Sequence, residues 1–277
     1  MTMLSINTNV GALKAAQASY SVNKSMETSM NRLSTGKRIN TGADDAAGIQ
    51  IANRMTAEIQ GLNMAMRNAA DAQSLLVTAE ASMDEIHTLL LRMRELAVQA
   101  VNGTNSSADR AALNSEVQEL EAEIERIQAQ TTWGGLTLLD SSMSDGINFQ
   151  IGADAGHTMT HSLLDLAVTG ATIAISADNT IGTLALASLY IGYMDASISN
   201  LGVERERVAS NINRLDHTIS NLENVSINLQ ISKGRIEDAD FAAETSNLAR
   251  TQVLQQASMA MLSQANASKQ NILALFQ

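Results

Sequence analysis

The chain is 277 residues long, with no proline, no cysteine, one tryptophan and a formal net charge of −11. A chain of this length at ordinary usage carries about 14 prolines, so their absence speaks against a turn-rich multidomain enzyme and for long helices, which proline breaks. Absent cysteine excludes disulfides, thiolate metal sites and cysteine nucleophiles, and the acidity makes free nucleic acid an unsuitable partner.

The first 40 residues run against the net charge, with Lys14, Lys24, Arg32, Lys37 and Arg38 facing only Glu27. Residues 1–13 are uncharged and scatter their apolar side chains among Ser, Asn and Thr, unlike the basic-then-apolar order of a cleaved signal peptide. Residues 10–33 read as a helix with Val10, Leu13, Tyr20, Met26, Met30 and Leu33 on one broad face. The segment Leu33–Ala47 follows as a connector. Gly36, Gly42 and Gly48 are expected to supply backbone freedom there, and Arg32, Lys37 and Arg38 to oppose the acids of the middle. Asp44 and Asp45 fit first-turn acids, which the positive end of a helix dipole favours.

The strongest signal comes next. In alternating steps of three and four, Leu62, Ala65, Ala69, Ala72, Leu76, Ala79, Met83, Ile86, Leu90, Met93, Ala97 and Ala100 are all apolar. That is a coiled-coil-like seam, about 58 Å long at 1.5 Å per residue. Asn102-Gly103 reads as a turn. Leu113, Val117, Leu120, Ile124 and Ile127 mark a second helix, capped by Asn105-Ser106-Ser107 and Asp109. The short connection makes the two antiparallel neighbours.

Residues 130–185 change character. Trp133-Gly134-Gly135, Asp145-Gly146 and Gly152–Gly156 punctuate short runs at Ile147–Ile151 and Ala171–Ser176 that alternate as strands do. A third long helix follows on Met194, Ile198, Leu201, Val208, Ile212, Leu215, Ile219, Leu222 and Leu229, with Arg205 and Ser226 interrupting the seam. Near the end, Leu254, Ser258, Met261, Ala265, Ser268, Ile272 and Leu275 form one more 3-4 seam, and residues 251–277 hold a single charge, Lys269. Glutamines and Asn266 make that stretch too polar to span a bilayer. Two poorly charged terminal helices of this kind are unstable alone, so they are expected to pair or to be buried by a partner. Heptads by themselves more often mark an ordinary helical core than a filament; the poorly charged helical ends, the acidic middle and the absent proline shift the reading toward ends buried among copies of the chain.

Chemistry is thin. His157 and His161 sit four apart without the Glu of a zinc-peptidase helix motif, in a segment that reads as a loop. His87 and His217 fall among helical residues. No phosphate loop, dinucleotide fingerprint or nucleophile elbow occurs. No catalytic residue, cofactor or metal is expected.

Several stretches together resemble bacterial flagellin, the flagellar filament subunit, in a short form. They are Ser5–Asn9; LSTGKRINTGADDAAGIQIANRMTAEIQGLNMAMRNAADAQSLL from Leu33; LRMRELAVQAVNGTNSSADRAAL from Leu91; RIEDADFAAETSNLARTQVLQQASMAMLSQAN from Arg235; and the final ILALFQ. The resemblance covers about the first 140 and last 90 residues. It departs at Ala43, where the family has Lys, and at Gln277, where it usually ends in Arg. The family's outer central domains are expected to be absent.

The resemblance implies a mainly α fold: a long antiparallel coiled-coil-like bundle of paired N- and C-terminal halves with a small β-hairpin region in the middle. It implies inner-tube terminal helices from 1–44 plus 237–277, and a helical rod domain over 45–236 with a β region at about 130–190. It implies noncovalent polymerisation into a hollow helical filament outside the cell. Implied partners are further copies of the chain, an export chaperone and the type III export gate, and hook-associated and cap proteins, without nucleic acid or membrane insertion. The expected inner core is Val10, Leu13, Tyr20, Met30, Leu33, Leu254, Met261, Ala265, Ile272, Leu275 and Phe276; the expected connector residues are Gly36, Arg38, Gly42, Asp44, Asp45 and Gly48. The family's match to the Toll-like receptor 5 motif falls at Arg92, Leu96 and Glu116, where Leu96 is expected to offer an apolar knob; subunit packing is the plainer role for the same residues. A hook-filament junction protein and a surface adhesin on the same fold are the alternatives. The serines and threonines of 141–183 are candidate O-glycan sites.

Overall fold

The computed structural model describes residues 8–140, 146–162, 173 and 180–274, with side chains as far as Ser268. Five helices and four short strands follow in the order α1 (Val10–Thr35), α2 (Ala46–Val101), α3 (Ser107–Gln130), β1 (Thr132–Trp133), β2 (Leu136–Thr137), β3 (Ile147–Gln150), β4 (Thr158–His161), α4 (Leu184–Glu237) and α5 (Phe241–Ala274). The fold is mainly α with two small antiparallel strand pairs, as expected. The chain divides into two compact units, Met1–Ile59 with Ile227–Gln277, and Gln60–Ser226.

In the first unit, α1 lies antiparallel to α5. Asn9 caps α1 by accepting from the Ala12 amide, and its own amide donates to the Ala265 carbonyl at 3.1 Å. Further along, the Gln255 amide donates to Asn23 Oδ1 at 2.8 Å, and Arg32 faces Glu244. Gly36, at φ +71°, ends α1 in the left-handed conformation that glycine adopts without strain. Asp240 starts α5 by accepting from the Ala242 and Ala243 amides.

The seam between these helices differs from the expected one. On α1 the less exposed residues include Ala12, Ala15, Ser19, Val22, Met26, Ser29 and Leu33, again at 3-4 spacing, with Thr28 and Arg32 partly buried beside them. On α5 they include Glu244, Leu248, Thr251, Gln255, Ser258, Leu262 and Ala265. These are mostly small or polar side chains, and they let the two backbones come within 8 Å of each other. Val10, Leu13, Tyr20 and Met30, and Leu254 and Met261 on α5, stay outside that seam and are exposed. The single broad face read from the sequence is two stripes, and the narrower one makes the pair.

The second unit is built on the α2 seam. All twelve positions from Leu62 to Ala100 are at most 6% exposed. Val117 and Ile124 of α3, and Ala187, Tyr190, Met194, Leu201, Val208 and Leu215 of α4, complete one continuous core with Leu138, Leu139, Phe149, Met159 and Ile181. The α2–α3 turn is held by a capping box at Ser106 and Asp109. Arg205, which breaks the α4 heptad, bonds Glu80 at 3.2 Å and Asp84 at 2.8 Å. With Arg94–Asp195 at 2.6 Å, this sets α4 antiparallel to α2.

Two hairpin-like pairs close the unit. β1 and β2 join through Gly134 and Gly135, at φ +58° and +88°. That is the two-residue turn with both central φ positive that suits strand twist. β3 pairs with β4 from Ile147↔His161 to Gln150↔Thr158. The expected strand at Ala171–Ser176, apart from the buried Ile173, and most of the candidate glycan positions lie outside the described residues.

Candidate assembly surface

The terminal unit carries an apolar surface that its own fold does not cover. Leu13 is 61%, Tyr20 74% and Met261 64% exposed, with Val10, Met30, Phe241, Val253, Leu254 and Met259 also in solvent. No charged residue lies between Thr251 and Ser268 on α5. Apolar side chains recurring on an uncharged helix surface mark an interaction face. Leu33 and Ala265 belong to the α1–α5 seam instead. The Ile272 side chain, Leu275 and Phe276 lie outside the described residues.

The connector is laced to the far end of the chain. The Arg38 amide donates to the Glu237 carbonyl at 2.7 Å, and the Ala239 amide to the Gly36 carbonyl at 2.9 Å. Lys37 Nζ reaches Glu237 Oε1 at 2.5 Å, which holds the Glu237 carboxyl below its ordinary pKa. The Arg38 guanidinium donates to the Ile236 carbonyl at 2.8 Å. Arg32, Lys37 and Arg38 therefore pair mainly with residues 236–244, while the charge of Arg32 also acts on Asp44. Asp44 accepts from the Thr41 and Asn40 amides, bonds that hold its pKa down, and Asp45 accepts from the Gly48 amide to cap α2. Of the three connector glycines only Gly36 has positive φ. Gly48 is needed for space, since a Cβ there would sit 2.5 Å from Asp45 Oδ2 and 2.7 Å from Ile39 Cδ1. Gly42 lies in open space.

On the second unit, Arg92 forks onto Glu116 at 2.8 and 3.2 Å and onto Glu95 at 2.6 Å, all three exposed. Leu96 is 1% exposed and offers no knob at the surface. It is buried because α2 packs more than one neighbour in the core, so its buried stripe is wider than one heptad row and takes in both Leu96 and Ala97.

Sequence spacing missed the buried polar contacts of this unit, two of which join residues distant in the chain. The Tyr190 hydroxyl donates to Glu121 Oε1 at 2.9 Å; burial pushes the Glu121 carboxyl up, and burial beside Glu121 pushes up the tyrosine as well. Glu204, 1% exposed on the α4 seam, is held by Arg207 at 2.8 Å. His161 belongs to strand β4, not to a loop; its Nδ1 lies 2.6 Å from Asn211 Nδ2, and burial, then the Arg207 charge, depress its pKa. Among the described residues no group of three His, Asp or Glu is placed to hold a metal, and no helix is long and apolar enough to cross a membrane.

The exposed apolar stripes and the connector are the surfaces against which the comparisons with known proteins are set. The family model for the bacterial flagellin N-terminal helical region matches residues 6–144, and that for the C-terminal helical region matches residues 191–276. The chain belongs to the flagellin family. It is 41% identical to the flagellin of Halalkalibacterium halodurans over 98% of this chain and 99% of that one. It is 35% identical to the flagellin of Bacillus subtilis over 98% and 99%. The alignment with flagellin A of Vibrio cholerae, at 31% identity, runs over 378 positions, so that flagellin carries residues this shorter form lacks. The crystal structure of Bacillus cereus flagellin aligns with a TM-score of 0.50 at 34% identity, over 56% of this chain and 88% of that one. A putative flagellar hook-associated protein from Vibrio parahaemolyticus aligns with a TM-score of 0.55 at 18% identity, over 70% and 100%, and shares the fold.

Proposed function

We propose that the chain is the structural subunit of a bacterial flagellar filament, polymerising without covalent links into a hollow helical tube that serves motility. Membership of the flagellin family supports this reading, and the uncovered apolar stripes of α1 and α5 carry it. Val10, Leu13, Tyr20, Met30, Leu254 and Met261, joined by Ile272, Leu275 and Phe276, pack against neighbouring copies, while Leu33 and Ala265 hold the pair together within each subunit. Burying a Leu or Met that is exposed in the single chain contributes about 1.5–3 kcal/mol, and the gain recurs at every subunit added.

In this reading residues 1–44 and 237–277 form the inner tube and 45–236 the layer around it, with Gly36, Arg38, Gly42, Asp44, Asp45 and Gly48 at the junction. The chain works outside the cell, after export through the type III gate in the care of a chaperone that holds the C-terminal segment, and meets hook-associated and cap proteins at the filament ends. Arg92 and Glu116, exposed and paired, are the part of the receptor motif available to Toll-like receptor 5; Leu96 serves the core. The test is electron microscopy of purified protein added to short filament seeds. Tubes growing from the seeds are the expected result, and natively folded protein that never elongates them would overturn the assignment.

A further inference from the structure

Between α1 and α5 lies a polar pocket of about 290 Å³, with Ser25, Thr28 and Arg32 on one side and Glu244, Arg250 and Thr251 on the other. Its hydrogen bonding does not balance. Each guanidinium brings five N–H donors. Arg32 reaches Glu244 only at 3.9 Å, an ion pair too long for a hydrogen bond, and its Nε is buried with no partner among the described residues. Arg250 has one long contact, 3.5 Å to Asn247 Oδ1. The hydroxyls do not compete for an acceptor, because Ser25, Thr28 and Thr251 donate to the carbonyls of Ser21, Lys24 and Asn247 in their own helices. Two positive charges thus face one carboxylate, and the pocket is short of oxygen acceptors.

We propose that this pocket binds a small oxyanion, held by the guanidinium groups of Arg32 and Arg250. Planar guanidinium forks suit phosphate, sulfate and carboxylate oxygens, and Arg32, whose contact with Glu244 is 3.9 Å, and Arg250, whose one contact is 3.5 Å, keep N–H groups to offer them. The oxyanion comes either from solution, as phosphate or sulfate, or from a second copy, as a side-chain carboxylate. Only the second source rests on the filament reading.

Equilibrium dialysis of the full, unpolymerised chain against radiolabelled inorganic phosphate, at ionic strength fixed with chloride, tests the first source. One saturable phosphate per chain is expected, displaced by sulfate. Arg250→Gln weakens it about tenfold or more, and Thr28→Glu, which brings a carboxylate into the pocket, abolishes it. Arg54→Gln, on the exposed face of α2, leaves it unchanged, with circular dichroism reporting helicity for each variant. The second source gives a different pattern. The soluble chain binds no phosphate, yet phosphate slows seeded growth of the parent at constant ionic strength and has no effect on growth of Arg250→Gln. Phosphate binding that is equal in the parent, Arg250→Gln and Thr28→Glu overturns the proposal, as does the absence of both binding and growth effects. A chain that does not polymerise at all overturns the filament reading and leaves the dialysis result to decide the pocket.

Discussion

Single residues carry the pH response of the second unit. His161 is buried on β4 with its Nδ1 against Asn211, and both burial and the nearby Arg207 disfavour its charged form. Its folded pKa lies below the ordinary value of about 6.5, so in the window beneath that value the unfolded chain binds more protons than the folded one. Stability therefore rises with pH through this window and is lost as pH falls. Glu121, raised by burial, works the other way, so His161 is read from a difference: between pH 7 and pH 5 the urea midpoint of the parent should fall relative to that of His161→Gln, and parallel curves would remove His161 from the account. Tyr190 makes a different prediction. Its hydroxyl is a donor to the partly buried Glu121, so Tyr190→Phe leaves a carboxylate short of a partner and should cost about 1–3 kcal/mol, read as a lowered urea midpoint at unchanged slope. Neither contact was legible in the sequence, because His161 and Asn211 are 50 residues apart and Tyr190 and Glu121 are 69 apart. Periodicity reports which way a residue faces its own helix axis, not which polar group it meets across the core.

At the scale of elements, the sequence spoke clearly where the seam is apolar and faintly where it is not. The α2 row from Leu62 to Ala100 was readable because a wide core selects apolar side chains at every turn. The α1–α5 seam was misplaced because close backbones select small side chains, and Ala12, Ala15, Ser19 and Ser29 carry little hydropathy to mark them. The larger Leu13, Tyr20 and Met261 drew attention to the other stripe, whose partner is not in the same chain. The α4 row shows both cases: Leu201 and Val208 announce it, whereas Ser197 and Glu204 are buried on it unannounced. The connector was legible as a hinge-like composition but not as a set of bonds to residues 236–239. This contrast predicts opposite outcomes for two similar substitutions. Leu201→Ala empties a fully buried site and should destabilise by about 2–5 kcal/mol. Leu254→Ala, at a 45% exposed position, should change the stability of the single chain by no more than about 0.5 kcal/mol. Urea unfolding of both variants, unpolymerised, checks the pair, and equal losses would mean that α5 is buried within the subunit after all.

For the whole molecule, the division of labour between the two stripes separates folding from assembly. Leu13→Ser and Met261→Ser alter only side chains that solvent already reaches, so the unpolymerised chain should keep its helicity and its unfolding midpoint. If these residues are buried between copies, each substitution forfeits about 1.5–3 kcal/mol at every subunit addition, which raises the critical concentration for polymerisation about tenfold or more per site. Deleting residues 254–277 is the harsher version. It removes Ser258, Leu262 and Ala265 from the seam along with the Asn9–Ala265 bond, so the start of α1 loses its partner and frays. The core of Gln60–Ser226 uses none of these residues and should unfold at the parent's urea midpoint, while seeded growth stops. The two measurements must diverge: filaments of normal length from the truncated chain, or a critical concentration unmoved by Leu13→Ser and Met261→Ser together, would show that the exposed stripes serve something other than assembly.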